Sequence, residues 1–445
     1  MARQQPVVIV GAGVTGLSLA LMLQESGIPT VVIEKEDRAG GLARSFEYDG
    51  HIFDIGPHRF HTERPDVDGF LRRVLQEDKR LIDRVSQVRF EGHFYPWPLH
   101  PSLYVFLRFP PMMALSAARD LFFMFSKKPA VSFRDQIVNM YGGTLYRNFF
   151  QGYSSKFLGI VPEMTHPDWA KTGVDRAIID SRVKMDSLWQ LLLGMMIPRG
   201  KPDTKFLYPA GGCEQFARNL VTMIEAAGGK VHCGRAVDSV KTEGNRVVSL
   251  RVGRRTFKPS TVVWTGTIHS LAHVLGLPRP DLRYLALICY NILLTDGERF
   301  PFQWCYHGTP DVSFSRVSIP ENFDAANTPP GRRSMCVEVT CAEGDRIWED
   351  PMSIADRLIN DMKRESLLKA DREIIAIHPE RFPWAYPIYQ LDYRDRITEF
   401  ERQISQYENV MCAGRLGRFW YNNMDHCVEA SLELAPQIRE ALGSA

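Results

Sequence analysis

Apolar positions recur along this chain in two rhythms. Val7–Val10 is an unbroken β-branched run, the composition of a strand buried on both faces in a parallel sheet. An apolar stretch over 17–23 has helical length, and Thr30–Ile33 returns to strand composition before the acidic Glu34. Amphipathic helical periods are read at 67–77, 113–126, 133–150 and 184–196. From 205 the short-strand grammar resumes, with Tyr208-Pro209-Ala210-Gly211-Gly212, a helix through 223–227, and Gly228-Gly229 before Lys230–His232. Strands at 237–242 and 246–252 flank the turn Glu243-Gly244-Asn245, and Val262–Trp264 closes that unit. Between 280 and 390 strands alternate with Pro- and Gly-rich loops, as a separate sheet would. A final helix over 427–441 is expected to pack back on the first unit.

The turn after the first strand carries candidate chemistry. Gly11, Gly13 and Gly16 complete GxGxxG. The first glycine permits a tight turn, the second lets backbone approach a pyrophosphate, and the third lets helix pack on strand. Val14 and Thr15 open the helix, whose free amides and positive dipole end suit phosphate. Glu34 follows about 20 residues on, where an acid accepts from an adenosine ribose. Strand, turn, helix, strand and acid in register predict a bound dinucleotide. A second glycine pair lies just beyond, in Arg38-Ala39-Gly40-Gly41-Leu42-Ala43-Arg44-Ser45. This segment resembles the FAD-binding signature of the amine oxidase, protoporphyrinogen oxidase and sugar mutase superfamily. Gly40 and Gly41 would let backbone pass close to an extended FAD beside Leu42, with Arg44 in reach of its phosphates. FAD, rather than NAD, is the expected cofactor.

Two further segments sharpen the resemblance. Asp54-Ile55-Gly56-Pro57-His58-Arg59-Phe60-His61-Thr62 and Ala413-Gly414-Arg415-Leu416-Gly417-Arg418-Phe419-Trp420-Tyr421-Asn422-Asn423-Met424-Asp425-His426 are similar to flavin-site motifs of the UDP-galactopyranose mutase family and its sugar-mutase relatives. The resemblance covers most of the chain and is thinnest in the helical insertion. It implies flavin contacts from Gly56, Pro57 and His58, from Val237, and from Gly414 and Arg415. Asn422, Asn423 and Met424, with Cys427 behind them, would present amides at the last helix's N-terminus to the flavin's pyrimidine end. Such donors favour an anionic reduced flavin.

On the substrate side the resemblance assigns a nucleotide-sugar pocket. Arg316 matches a strand arginine that holds the diphosphate, Tyr306 an aromatic of the same pocket, and Tyr386 and Tyr421 two diphosphate-binding phenols. Arg176 would be the second arginine, with Arg182 the alternative. Trp97 and His100 fall at the nucleoside side, where the family often has Gln in place of His100, which leaves the base open. A diphosphate entering a pocket needs cations, and arginine's planar fork suits its oxygens. The implied catalytic set is His58, Arg316 and Arg176. The implied reaction interconverts pyranose and furanose forms of an NDP-hexose, such as UDP-galactose, with reduced flavin as nucleophile at the anomeric carbon and an external reductant such as NAD(P)H. An oxidoreductase of the same superfamily, of the protoporphyrinogen oxidase, desaturase or amine oxidase type, remains the alternative; it would need an apolar tunnel in the Phe- and Met-rich insertion.

These readings give an α/β fold: a Rossmann-type FAD-binding domain with an inserted helical domain and a second, mostly antiparallel sheet domain. The expected division is FAD-binding at 1–75, 205–276 and 400–445, helical substrate region at 76–204, and sheet substrate domain at 277–399. Composition narrows the picture further. The 445 residues, 44% hydrophobic, can bury a large core. Net charge is +2, with basic residues spread among acidic ones, so no nucleic-acid partner is expected. Eight cysteines lack any CxxC pair, which argues for reduced thiols in a cytoplasmic protein and against a disulfide framework or metal site. No secretory leader is expected ahead of the first strand. The apolar stretches 103–125 and 188–197 are interrupted or too short to span a bilayer. A homo-oligomer remains open.

Overall fold

A computed structural model describes residues 5–90, 92–97, 110–123, 129–173 and 205–443. Its first sheet is parallel, in the order Val410–Cys412, Val262–Trp264, Val7–Val10, Thr30–Ile33 and Lys230–His232. Val7–Val10 sits in the middle, buried on both faces, as its unbroken β-branched run predicts. The chain leaves this strand toward Thr30–Ile33 and returns on its other side at Val262–Trp264. In such sheets the ligand crevice opens outside the carboxyl ends of the strands at that switch.

The helix Val14–Glu25 is buried over its first ten residues. It packs between Glu214–Ala226 and the last helix, Met424–Gly443. The Ser431 hydroxyl donates to the Thr15 carbonyl at 3.0 Å, fastening the last helix to the first. Three separated stretches of chain therefore build one layer around the parallel sheet.

The second sheet has seven strands, in the order Ile374–Ile388, Arg283–Thr295, Arg332–Cys341, Arg316–Ser318, Trp304–His307, Ser86–Phe90 and His93–Pro96. All its pairings are antiparallel except Trp304–His307 with Ser86–Phe90. The last two strands correct the sequence reading of a helical stretch from 76. Lys79–Asp83 also is a strand, paired antiparallel with Lys205–Pro209. Gln87-Val88-Arg89-Phe90 and His93-Phe94-Tyr95-Pro96 flank a turn glycine, Gly92, and their hairpin extends the substrate-side sheet. Helices follow at Pro111–Phe123 and Phe133–Leu145, while the 184–196 segment lies outside the described residues. All eight cysteines are free thiols. No helix among the described residues is long and apolar enough to cross a membrane.

Candidate active site

A cleft of about 580 Å³ runs from the ends of the parallel strands to the face of the second sheet. At its nucleotide end the GxGxxG turn behaves as its spacing predicts. Gly11 has φ +107, and a Cβ there would stand 2.3 Å from Thr265 Oγ1. Gly16 lies behind the wall, where a Cβ would come within 2.0 Å of the Gly11 carbonyl oxygen, so its role is to let the helix pack. Gly13 caps Val14–Glu25 with no side chain, which leaves the first-turn amides unclaimed. Glu34 accepts from the Ala12 amide at 2.7 Å and the Glu36 amide at 2.9 Å. Each carboxylate oxygen retains a lone pair for a ribose hydroxyl. Gly40 and Gly41 pass directly beside Gly13, and a Cβ on Gly41 would lie 3.1 Å from the Gly13 Cα. Leu42, Arg44 and Val237 complete this end, with Lys35 held over the Trp384 ring at 4.2 Å.

The middle of the cleft is walled by Pro57 and His58 on one side and by Gly414, Arg415, Asn422, Asn423, Met424 and Cys427 on the other. Burial pushes the His58 imidazole down to about 4, against the pull of Asp54. Its Nδ1 lies 3.3 Å from the Gly56 carbonyl, so the neutral ring donates there and leaves Nε2 as an acceptor. Gly56 itself lies behind the wall; at φ +73, a Cβ would stand 2.7 Å from Glu338 Oε1. Arg415 is a staple: Nε donates to the Ala385 carbonyl at 3.1 Å and Nη1 to the Asn422 carbonyl at 2.6 Å. That ties the second sheet to the turn before the last helix.

These residues fit an FAD on two observations. A Cβ on Gly13 would meet no atom within 4 Å, so the glycine keeps cleft space open beside the uncapped helix terminus. At the other end, Asn422 is 2% exposed and its Nδ2 has no partner among the described residues. That donor awaits an acceptor, as a flavin's pyrimidine edge supplies.

Beyond His58 the cleft becomes aromatic and cationic. Arg316 meets Glu338 in a bidentate pair, Nε to Oε1 and Nη2 to Oε2, both at 2.6 Å. Its Nη2 also donates to the Tyr386 hydroxyl at 3.1 Å. Burial opposes the charge on Arg316, but Glu338 outweighs it and keeps the guanidinium protonated. Tyr306 stands 5.8 Å from the Arg316 guanidinium, and Tyr421 packs edge-on to Tyr386 at 5.3 Å. Burial pushes the Tyr386 phenol up although Arg316 pulls it down, so the group stays a neutral donor.

Apart from Gly16 and Gly56 behind the wall, the sequence-derived cofactor and substrate residues thus converge, with four further exceptions. Trp97 packs edge-on against Tyr306 at 5.7 Å but stands behind the wall. Arg176, its alternative Arg182, and His100 lie outside the described residues. Sequence reasoning missed Glu338, Arg59, Arg84 and Trp304. Arg59 was visible as a cation inside a glycine-proline-histidine turn; Glu338 had no local signal, being 22 residues from its partner.

Fold and cleft together define a dinucleotide-binding protein of FAD type whose cleft continues into an aromatic and cationic end. The chain belongs to the family of flavin containing amine oxidoreductases, whose pattern matches residues 14–435, and that family implies a flavin. It is similar to the dTDP-fucopyranose mutase of Escherichia coli, with 26% identity over 441 residues covering 96% of this chain and 97% of that one. The lycopene-forming phytoene desaturase of Pantoea ananas is 23% identical over 295 residues; these cover 61% of this chain and 58% of the desaturase. Among solved structures, a reduced UDP-galactopyranose mutase aligns with a TM-score of 0.85 at 18% identity, over 99% of this chain and 96% of the other. That last likeness establishes the fold.

Proposed function

We propose that this protein is a flavin-dependent nucleotide-sugar mutase that interconverts the pyranose and furanose rings of an NDP-hexose. The observation that carries the reading is the Arg316–Tyr386 contact, with Tyr306 and Tyr421, in the same cleft as His58. A guanidinium and three phenols suit a diphosphate, whereas a desaturase or amine oxidase would present an apolar tunnel. The full-length similarity to a dTDP-fucopyranose mutase supports the mutase over the desaturase, which matches over a shorter span.

When bound in its reduced form, the flavin supplies the nucleophile for the anomeric carbon. The chain's own residues bind, orient and hold charge. Arg316, fixed in direction by Glu338, donates to the diphosphate as it departs and keeps it in place for the return. Tyr386, Tyr306 and Tyr421 add neutral donors that do not trap the leaving group. His58 stays neutral over the physiological range and places no cation against an anionic reduced cofactor. Arg176 would complete the diphosphate cradle. We assign the FAD-binding unit to 1–75, 205–276 and 400–445, the substrate side to 76–204 and 277–399, and the priming electrons to NAD(P)H or a similar external donor.

The test is to reduce the FAD-loaded protein with dithionite under anaerobic conditions and offer NDP-hexoses of different base and sugar. Ring-isomerised product should accumulate without stoichiometric use of reductant. Steady one-to-one consumption of oxygen or NAD(P)H with substrate would replace this reading with an oxidoreductase.

A further inference from the structure

The second sheet carries two cationic platforms on one strand face. Trp304 and Tyr306 are two residues apart on Trp304–His307, so their side chains share a face about 7 Å apart. At Tyr306 the cation is Arg316, whose charge Glu338 already matches. At Trp304 the arrangement differs. Arg59 lies 4.7 Å and Arg84 5.2 Å from the indole ring centre, and Trp304 is itself only 1% exposed. Arg84 donates from Nε to Ser86 Oγ at 3.0 Å. Arg59 has no hydrogen bond and no ion pair among the described residues; its guanidinium lies over the indole face. Both arginines line the cleft together with His58, Tyr306 and Arg316.

Charge balance makes this arrangement informative. Burial disfavours the charge on Arg59 and outweighs the opposing pull of Tyr306 and Asp425, with Arg316 adding to the burial effect; Arg84 feels burial first and Arg59 second. Guanidinium groups nonetheless remain protonated in proteins. Two such cations around one buried indole, with Arg59 in no ion pair among the described residues and Asp425 acting on it only from a distance, are stabilised when an anion enters. A neutral hexose has nothing to offer them beyond hydroxyls.

Position decides which part of the ligand they meet. Arg59 directly follows His58 and feels Asp425 on one hand and Tyr306 and Arg316 on the other, so it stands between the flavin end and the diphosphate end. Arg316 and the tyrosines mark the diphosphate end. The hexose must lie between diphosphate and flavin for its anomeric carbon to reach the cofactor. Resting on the mutase reading above, we propose that the sugar itself carries a carboxylate, making the substrate a nucleotide-linked hexuronic acid whose acid group is bound by Arg59 and Arg84.

Matched ligands test this: UDP-galactose against UDP-galacturonate, and UDP-glucose against UDP-glucuronate, with UDP alone as reference. Binding to the FAD-loaded protein is measured by calorimetry, and ring isomerisation by chromatography after reduction. The wild type should bind a uronate at least tenfold tighter than its neutral partner. Arg59→Gln and Arg84→Gln should each weaken uronate binding at least tenfold more than they weaken UDP. Arg59→Lys should recover part of the loss, because it restores charge without the planar stack, and it stands in if the glutamine variant fails to retain flavin. Equal binding of neutral and acidic partners by the wild type overturns the proposal. So does an equal loss for UDP and uronate in the variants, which would assign both arginines to the diphosphate. Uronate binding that depends on Arg59 without any isomerisation would keep the carboxylate site and defeat the mutase reading. Isomerisation of neutral hexoses alone would do the reverse.

Discussion

Arg316 shows how a single residue can serve the ligand and the fold together. Sequence reasoning treats it as a group facing substrate alone. The structure corrects that expectation, because Glu338 is 1% exposed and its carboxylate is bound by Arg316. Arg316→Ala would therefore strand a buried carboxylate, a change that destabilises proteins by about 3–5 kcal/mol. The variant should melt well below wild type as well as lose turnover. Pairing it with the acid separates the two effects. Arg316→Met with Glu338→Gln removes both charges, so it should regain most of the stability while remaining inactive. Urea unfolding of the two variants and wild type, with activity assayed alongside, checks this. If the single Arg316→Ala protein is as stable as wild type, the ion pair is not holding the strand pair together.

At the scale of elements, two glycines of one motif make opposite demands. Gly16 separates a helix from a turn, with the Gly11 carbonyl where its Cβ would be. Gly13 has φ −76 and ψ 179, extended backbone that any residue adopts, and open space beside it. Gly16→Ala should therefore disturb the cofactor-free fold, lowering its melting temperature before any ligand is added. Gly13→Ala should leave that melting temperature nearly unchanged and weaken FAD binding tenfold or more, about 1.4 kcal/mol. Calorimetry on cofactor-free protein and an FAD titration distinguish them. Normal FAD affinity in Gly13→Ala would show that the pyrophosphate does not approach this backbone. The motif was legible because its constraints are local: a turn, a helix start and a strand end within one stretch of chain. The strands at 79–96 were not: Lys79–Asp83 and Ser86–Phe90 have partners in Lys205–Pro209 and Trp304–His307, far away in sequence, and only the short 86–96 hairpin is local. Only tertiary pairing chooses strand over helix for such short mixed segments.

Across the whole molecule, the same distinction explains which parts of the site could be read. Gly11, Glu34, His58, Arg415 and Asn422 fall in contiguous motifs, and the fold gathers all of them into one cleft. The Arg316–Glu338 pair and the indole between Arg59 and Arg84 exist only after the second sheet has formed, so periodicity could not reveal them. That gathering has a thermodynamic consequence. The wall takes residues from 10–15, 33–44, 55–59, 235–237, 264–274, 381–386 and 414–427, which span both sheets and the last helix. An unfolded chain has no such cleft, so FAD binds the native state alone. Its stabilisation then follows mass action, reaching about 2.7 kcal/mol when free FAD is a hundred times its dissociation constant. Stripping the cofactor should lower the unfolding midpoint of the whole chain, and adding FAD should raise it in proportion to the logarithm of concentration. Probes on the two sheets should shift together, because Arg415 links Ala385 of the second sheet to Asn422 at the cofactor end. Tryptophan fluorescence and far-ultraviolet dichroism, followed through urea unfolding at several FAD concentrations, measure both the slope and the coincidence. If FAD raises the midpoint of only one transition while another stays fixed, the cleft draws on one sheet alone, and the staple does not couple the two.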